Sequence, residues 1–216
     1  MLETKKPFAA GLALALLAAT GCYDFDTAFE DCVKAGRCQP AGCDKTAVDL
    51  PDDLFHDANC DEVDGTPGDA LFVDPDAGQD SNPGTPEAPL KRLSVAMKLA
   101  ASQGKALYLA QGTYDEADLR MDQAVSLHGG YSGVNGKWAR GANYITRIGG
   151  GTTGFTVNGL SDAGVVIEWV HIGATASTVP GTPSIGLRVM DSSGVRLRHV
   201  QVEAGAGAAG QEGNSP

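Results

Sequence analysis

The second half of the chain repeats its own pattern of apolar residues at an interval of 30 residues. Seven positions stay apolar or glycine, without a gap: Phe155 falls on Ile185, Val157 on Leu187, Gly164 on Gly194, Val165 on Val195, Ile167 on Leu197, Val170 on Val200 and Ile172 on Val202. A unit of short alternating strands and glycine turns cannot bury its inward side chains alone. Stacked units bury them together, because equivalent strands then lie ~4.8 Å apart. The repeat therefore predicts a solenoid of parallel strands.

A third, looser copy of the unit runs from Leu119 to Leu127 and aligns with residues 187–197 after a deletion of two residues. The stretch Thr175–Pro183 is extra length and predicts a protruding loop. An antiparallel sandwich also uses short strands and glycine turns, but the in-phase repeat favours the solenoid. The last unit is followed by a tail rich in Gly and Ala, which offers no large apolar residue to cover it. We therefore expect a short or truncated solenoid, either a fragment of a longer one or a chain whose end pairs with something else.

Ahead of the repeat lie two predicted strands, at 71–73 and 106–110, and a segment with helical spacing at 91–103. The apolar positions on one face of that helix are Leu93, Ala96, Met97 and Ala100. This order of elements, with the motifs Phe72-Val73-Asp74-Pro75, Gly78–Leu90 and Leu107–Tyr114, resembles the N-terminal cap and first coil of pectin-lyase-like right-handed β-helix proteins of the DUF1565 type. The resemblance covers roughly residues 71–131.

The resemblance implies an all-β fold, a right-handed parallel β-helix with an N-terminal capping helix. It implies no single activity, since the family includes polysaccharide lyases, adhesins and exported proteins without assigned chemistry. The stretch from His128 to Tyr131, together with Trp138 and Arg140, also belongs to the resemblance and predicts a corner packed by aromatic rings. Tyr131 and Trp138 are alternatively candidates for glycan contact, because an apolar ring with a polar tip stacks well on a sugar.

The first residues form an export signal. Lys5 and Lys6 precede a mostly apolar run from Phe8 to Ala19, which is too short to span a bilayer as a mature helix. The stretch Ala19-Thr20-Gly21-Cys22 resembles a bacterial lipobox, which implies a lipid on Cys22 and a membrane partner through that lipid. Ordinary secretion is the alternative. We expect an outer-membrane lipoprotein or cell-surface protein of the cell envelope.

An acidic, cysteine-rich segment follows the signal. The chain carries a net charge of -11, and 16 of its 27 acidic residues lie between residues 22 and 80. The four cysteines that remain beyond the lipidation site are Cys32, Cys38, Cys43 and Cys60. An even number in an exported protein predicts two disulfides, with three pairings open. Zinc is disfavoured because no close Cys-x₂-Cys pair is present. The chain thus divides into a signal peptide (1–21), an acidic Cys-rich linker or mini-domain (22–70), the β-helix (71–204) and a tail (205–216).

Oxygen-bearing side chains cluster around Cys60 and suggest a calcium site. Alternating positions resemble the way calcium loops place ligands on every second residue, and the stretch also resembles an Asn-Cys-Asp-Gly-type metal-binding element of exported bacterial proteins. The candidate ligands are Asp52, Asp53, Asp57, Asn59, Asp61 and Asp64. A solvated acidic loop held by a disulfide is the alternative.

No catalytic constellation emerges from the sequence. Glu168 aligns with Arg198 and His171 with Gln201, so the predicted coils carry neither an acidic ladder nor a histidine pair. The acidic composition argues against nucleic-acid binding. We expect a binding or display role, with a polysaccharide as a candidate partner. The alternative function is the N-terminal part of a polysaccharide lyase or hydrolase whose active coils lie beyond residue 216.

Overall fold

The structure, a computed structural model, describes residues 27–28, 31, 44–161 and 164–213. Its elements, in chain order, are β1 (Ala70–Val73), α1 (Leu93–Gln103), β2 (Ala106–Ala110), β3 (Gly112–Asp115), β4 (Arg120–Met121), β5 (Leu127–Tyr131), β6 (Thr146–Gly149), β7 (Thr153–Asn158), β8 (Val166–Gly173), β9 (Ile185–Met190) and β10 (Arg196–Glu203). The two strands and the helix predicted ahead of the repeat are present. The predicted start of the helix, at 91, is two residues early because the backbone of Arg92 is still extended.

The strands form two sheets in which neighbours run parallel. The larger sheet has the order β1-β2-β5-β8-β6-β3, with β10 also paired to β8, and the smaller has the order β4-β7-β9. The strand β8 belongs to two parts of the larger sheet: its first half pairs with β5 and its second half with β6. We call one part of the larger sheet the first arm; it consists of β1, β2, β5 and the first halves of β8 and β10. We call the other part the second arm; it consists of β3, β6 and the second halves of β8 and β10. This layout is consistent with a parallel β-helix-like arrangement.

The bend between the two arms lies at Trp169 in β8 and at His199 in β10. Both residues have a left-handed backbone, with φ of 53° and 49°. In β5 the bend falls at Gly130, whose φ is 84°. The register between β2 and β5 shifts at the same place. Non-glycine residues rarely adopt this conformation, which turns each strand through the corner without ending it.

The predicted repeat is confirmed in one part and wrong in another. Between β8 and β10 the register is 30 residues, since Ile167 pairs with Leu197. Between β7 and β9 it is 32 residues: Phe155 pairs with Leu187, not with Ile185. Likewise Val157 pairs with Val189, not with Leu187. A slip of two residues keeps every side chain on its own face of the strand, so the apolar pattern tolerates both registers.

The core lies between the sheets and the helix. Successive strands of the first arm contribute one inward column, which consists of Leu71, Leu107, Leu127, Ile167 and Leu197. All of these except Leu197 are buried. The helix α1 contributes the four apolar residues predicted for its buried face. The carboxylate of Glu116 accepts hydrogen bonds from the backbone N–H groups of Leu93 and Ser94, at 2.6 and 3.1 Å, and so caps the start of α1 from a distant part of the chain.

Candidate functional site

The outer face of the first arm is covered by part of the acidic segment, residues 49–65. The buried carboxylate of Asp49 accepts a hydrogen bond from the backbone N–H of Gly65 at 2.8 Å, which closes the segment on itself. The hydroxyl of Tyr131 then donates to the backbone oxygen of Asp64 at 2.5 Å. The described residues from 44 onward therefore belong to one compact unit.

Arg140 joins this segment to the sheet. Its guanidinium contacts Asp64 Oδ2 at 2.8 Å and Glu168 Oε1 at 2.7 Å, and its side chain is fully buried. It also donates to the backbone oxygens of Gly129 at 3.0 Å and Asp52 at 3.1 Å. A planar guanidinium with five donors suits such a set of acceptors better than an ammonium does. Arg140 thus connects two carboxylates from parts of the sequence that lie far apart.

The carboxylate of Glu168 lies in an in-register column on the outer face of the first arm. Tyr108, His128, Glu168 and Arg198 occupy equivalent positions on β2, β5, β8 and β10, which confirms the predicted alignment of Glu168 with Arg198. His128 Nδ1 lies 2.7 Å from Glu168 Oε1, and Arg198 lies 3.1 Å from Glu168 Oε2. Burial alone would raise the pKa of Glu168, but the hydrogen bond and charge of His128, with Arg140, hold it below its usual value.

Asp64 behaves in the opposite way. Burial raises the pKa of its carboxyl above the usual value, although the hydrogen bond and charge of Arg140 act against that rise. Although both carboxylates contact the same guanidinium, protonation of Glu168 at low pH therefore lowers the stability of the fold, whereas protonation of Asp64 raises it. The His128–Glu168 pair has the spacing of an acid–base pair, yet its side chains are only 12% and 1% exposed. The two side chains are hydrogen-bonded to each other beneath the acidic segment and offer no surface to a substrate.

The corner of the sheet carries a second contact between the acidic segment and the strands. The rings of Trp169 and His199 stack at 4.3 Å, and Phe55 packs against Trp169 at 4.9 Å. The carboxylate of Asp53 lies 2.9 Å from Arg198 and 3.2 Å from His199. Because the side chains of Asp53, Arg198 and His199 are about half exposed, water weakens these polar contacts. The corner thus adds contact area and specificity to the attachment that Arg140 makes.

The six predicted calcium ligands do not converge on one point. Three of them accept hydrogen bonds from nearby backbone N–H groups: Asp52 from Leu54 and His56, Asp57 from Asp61 and Glu62, and Asp61 from Val63. Two others contact basic side chains: Asp53 lies against Arg198 and His199, and Asp64 against Arg140. The side-chain amide of Asn59 donates to Asp61. Within the described residues, no three His, Cys, Asp or Glu side chains are grouped to hold a metal ion. A calcium ion needs six to eight converging oxygens, and this arrangement does not fit one.

Two further sets of predicted site residues have different outcomes. Cys60 is disulfide-bonded, while Cys22, Cys32, Cys38 and Cys43 lie outside the described residues, so the lipid on Cys22 and the pairing of the disulfides stay predictions. Tyr131 and Trp138 are 0% and 2% exposed and pack with Phe72 and Tyr108. Stacking on a sugar needs a free ring face, and neither ring presents one. Their place in an aromatic cluster matches the packing alternative.

An open groove of about 450 Å³ runs across the outer face of the second arm. We call it the second-arm groove. Most of its polar lining side chains come from four neighbouring strands, and Thr175 follows the third of them: the strand residues are Thr113 and Asp115, Arg147, His171, Gln201 and Glu203. Thr113, Arg147, His171 and Gln201 are directly in register. The predicted alignment of His171 with Gln201 is therefore confirmed, whereas Arg147 and Asp115 were not recognised as site residues because they lie outside the repeat.

Part of the floor of the second-arm groove is formed by glycines, which carry no side chains. Gly149 and Gly173 pair on β6 and β8, between Asp115 on one side and Glu203 on the other. A Cβ atom at Gly149 would lie 2.3 Å from the backbone oxygen of Gly173, so only glycine allows the strands to pack there. The groove consequently presents donors and acceptors of both charges on an open surface, which suits a ligand rich in hydroxyl groups.

The chain matches one family model, that of a protein of unknown function (DUF1565), over residues 76–162. The matched region begins a few residues after the start of the resemblance seen in the sequence, and it ends about 30 residues beyond the end of that resemblance. No curated protein and no solved structure matches the chain. Among the residues that the structure describes, no helix is long and apolar enough to cross a membrane.

Proposed function

We propose that the protein is an exported, lipid-anchored protein of the bacterial cell surface, whose right-handed parallel β-helix binds glycan through the second-arm groove without catalysis. The observation that carries the proposal is the in-register row of Thr113, Arg147, His171 and Gln201 beside a glycine floor. Parallel pairing of all the paired strands and the helix α1 over the core support the β-helix.

The spacing of the row suits an extended polymer. Neighbouring strands lie ~4.8 Å apart, so equivalent side chains offer hydrogen-bonding groups at that interval. A chain of sugars lying across the strands meets several such groups at once. Arg147 and His171 favour carboxylate or sulfate substituents, while Asp115 and Glu203 accept from hydroxyls. The groove is too open to enclose a small molecule, which favours a polymeric ligand.

Binding of the full chain to a glycan array tests the groove. We expect retention on one class of polysaccharide, with binding reduced by Arg147→Ala and by Gln201→Ala. Arg120→Ala is the matched control, because Arg120 pairs with Asp122 on the surface of the smaller sheet and does not line the groove. Failure to bind any glycan, or equal loss in the control, contradicts the proposal.

The lipid anchor rests on the lipobox-like residues that end at Cys22. Mass spectrometry of the membrane fraction should find a diacylglycerol on that cysteine, and Cys22→Ser should release the protein from the membrane. More than one acyl chain is needed for stable anchoring, since each buried CH₂ contributes ~0.8 kcal/mol. A Cys22→Ser protein that remains bound to the membrane would show that the anchor lies elsewhere.

The alternative function is the N-terminal part of a polysaccharide lyase or hydrolase with active coils beyond residue 216. One observation favours it: Leu197 and Val202 on β10 are each 45% exposed, as expected for a strand that further coils cover. An open reading frame that continues past residue 216 with clustered Asp and Lys or Arg would favour this function. Degradation of acidic polysaccharides by the full chain alone would contradict both proposals.

Calcium stays a prediction that the arrangement of the acidic segment does not support. Isothermal titration of the disulfide-intact chain with millimolar calcium tests it directly. Heat of binding that disappears in Asp57→Asn would mean that the segment rearranges around the ion. An absence of heat removes calcium from the function.

A further inference from the structure

The last strand, β10, has one edge without a partner among the described residues. It pairs with β8 on its other side only. Three inward columns of the core end on it: Leu197 stacks on Ile167, Val200 on Val170 and Val202 on Ile172. The two isoleucines are 0% and 1% exposed, whereas Leu197 and Val202 are each 45% exposed. An edge of this kind, apolar inside and unpaired along its backbone, is a template for another strand.

The backbone of β10 shows which residues face that edge. The N–H of Arg196 donates to Val165 at 2.8 Å, and the oxygen of Glu203 accepts from Ala174 at 3.1 Å. Both residues therefore turn their backbone groups toward β8. In a parallel ladder successive residues alternate between the two edges. The N–H and C=O groups of Leu197 and Val202 consequently point to the free edge.

The sequence of β10 is complementary to its own reverse. Antiparallel pairing that places Leu197 opposite Val202 also places Arg196 opposite Glu203 and Arg198 opposite Gln201, with His199 opposite Val200 at the centre. Leu197 and Val202 both face inward, whereas Arg196, Glu203, Arg198 and Gln201 all face outward. The same register makes Leu197 and Val202 the hydrogen-bonded pair, in agreement with the direction of their backbone groups. Charge, apolar contact and backbone direction thus select one register independently.

The bend in the strand permits this pairing. His199 lies at the corner and separates Arg196–Arg198 on the first arm from the second-arm residues up to Glu203. A twofold axis through the corner, perpendicular to the stacking direction, exchanges the two arms. It brings the first arm of one copy onto the second arm of the other, with the inner side kept inside. If β10 were straight, the same antiparallel pairing would not place each arm of one copy on the opposite arm of the other.

We propose that two copies of this chain associate through their β10 strands, in antiparallel register around a twofold axis that passes between His199 and Val200. The occupant of the free edge is a second copy because the arginines lie in one arm and Gln201 and Glu203 in the other, a pattern that its own reverse complements. The contact is isologous, so it closes after two copies and does not propagate into a fibre. Two outward-facing grooves would then belong to one assembly.

Sedimentation equilibrium of the full chain in a density-matched detergent tests the proposal. We expect a dimer whose dissociation constant rises about tenfold in Arg196→Glu and in Glu203→Arg, because like charges then face each other twice across the axis. The double variant Arg196→Glu with Glu203→Arg restores the opposite charges and should restore the dimer. Lys98→Glu, an exposed reversal on α1, is the matched control and should leave the mass unchanged.

Each outcome decides the matter. Both Arg196 and Glu203 are exposed, so the variants should keep the fold, which circular dichroism verifies. Restoration by the double variant supports the register, since no other arrangement of β10 predicts it. A monomer at every concentration overturns the proposal, and a dimer that neither reversal weakens, or that the double variant fails to restore, overturns it equally. A monomer would also favour further chain as the cover of β10.

Discussion

Replacement of Arg140 by methionine tests whether one buried guanidinium holds the acidic segment on the sheet. The substitution keeps an unbranched, flexible side chain, although a shorter one, and removes its charge and all its donors. Asp64 and Glu168, whose side chains are 2% and 1% exposed, then lose their shared cation. Removal of one partner from a buried ion pair typically costs about 3–5 kcal/mol, because the remaining charge stays buried without compensation.

The expected magnitude lies near the middle of that range. Glu168 retains His128 and Arg198, whereas Asp64 keeps a hydrogen bond from the backbone N–H of Asp52 at 3.2 Å. A loss of about 4 kcal/mol in the free energy of unfolding, with a urea slope of about 2 kcal/mol per molar, lowers the urea midpoint by about 2 M. The measurement is urea unfolding followed by tryptophan fluorescence, since Trp169 and Trp138 lie near the segment.

Two further variants sharpen the test. Arg120→Met removes an exposed ion pair with Asp122 and should cost about 0–1 kcal/mol. Arg140→Met combined with Asp64→Asn and Glu168→Gln should recover part of the loss, because neutral amides are less costly to bury than unpaired carboxylates. A midpoint for Arg140→Met that equals the midpoint for Arg120→Met would refute the reasoning. So would a triple variant less stable than Arg140→Met alone.

The remaining predictions concern acid and the strand packing. Folding lowers the pKa of Glu168, so this carboxylate contributes its full stabilisation above its unfolded pKa near 4.5 and loses it as the pH falls through the folded pKa. Glu168→Gln should therefore make the free energy of unfolding fall less steeply with acid. The raised pKa of Asp64 has the opposite sign, and Asp64→Asn should make that fall steeper. Gly149→Ala should lower the free energy of unfolding by about 1–3 kcal/mol, because the added Cβ would clash with the backbone of Gly173. Gly173→Ala, whose Cβ meets nothing within 4 Å, should be neutral or slightly stabilising. Equal effects of the two variants on the thermal midpoint would contradict this packing.

The stacked strands were predictable because their apolar residues recur at regular intervals along the sequence. The pairing of Ile167 with Leu197 follows from apolar columns that recur along the chain. The looser third copy was also in the correct register: Met121 pairs with Val157, which pairs with Val189, and Leu127 pairs with Ile167. The error between β7 and β9 arises because the chain has two more residues between β7 and β8 than between β9 and β10, and alternation with a period of two does not detect that difference.

The sequence by itself determined the repeating parallel strands and the buried face of α1, since each depends on periodicity along the chain. The aromatic cluster was expected from the resemblance to the family, because its rings at Phe72, Tyr108, Tyr131 and Trp138 lie far apart in the chain. Only the tertiary structure decided the partners of Arg140, which lie 76 residues before it at Asp64 and 28 residues after it at Glu168. The same holds for the second-arm groove, whose lining comes from four strands. Charged side chains carry no period, so only the folded stacking of the strands brings them together.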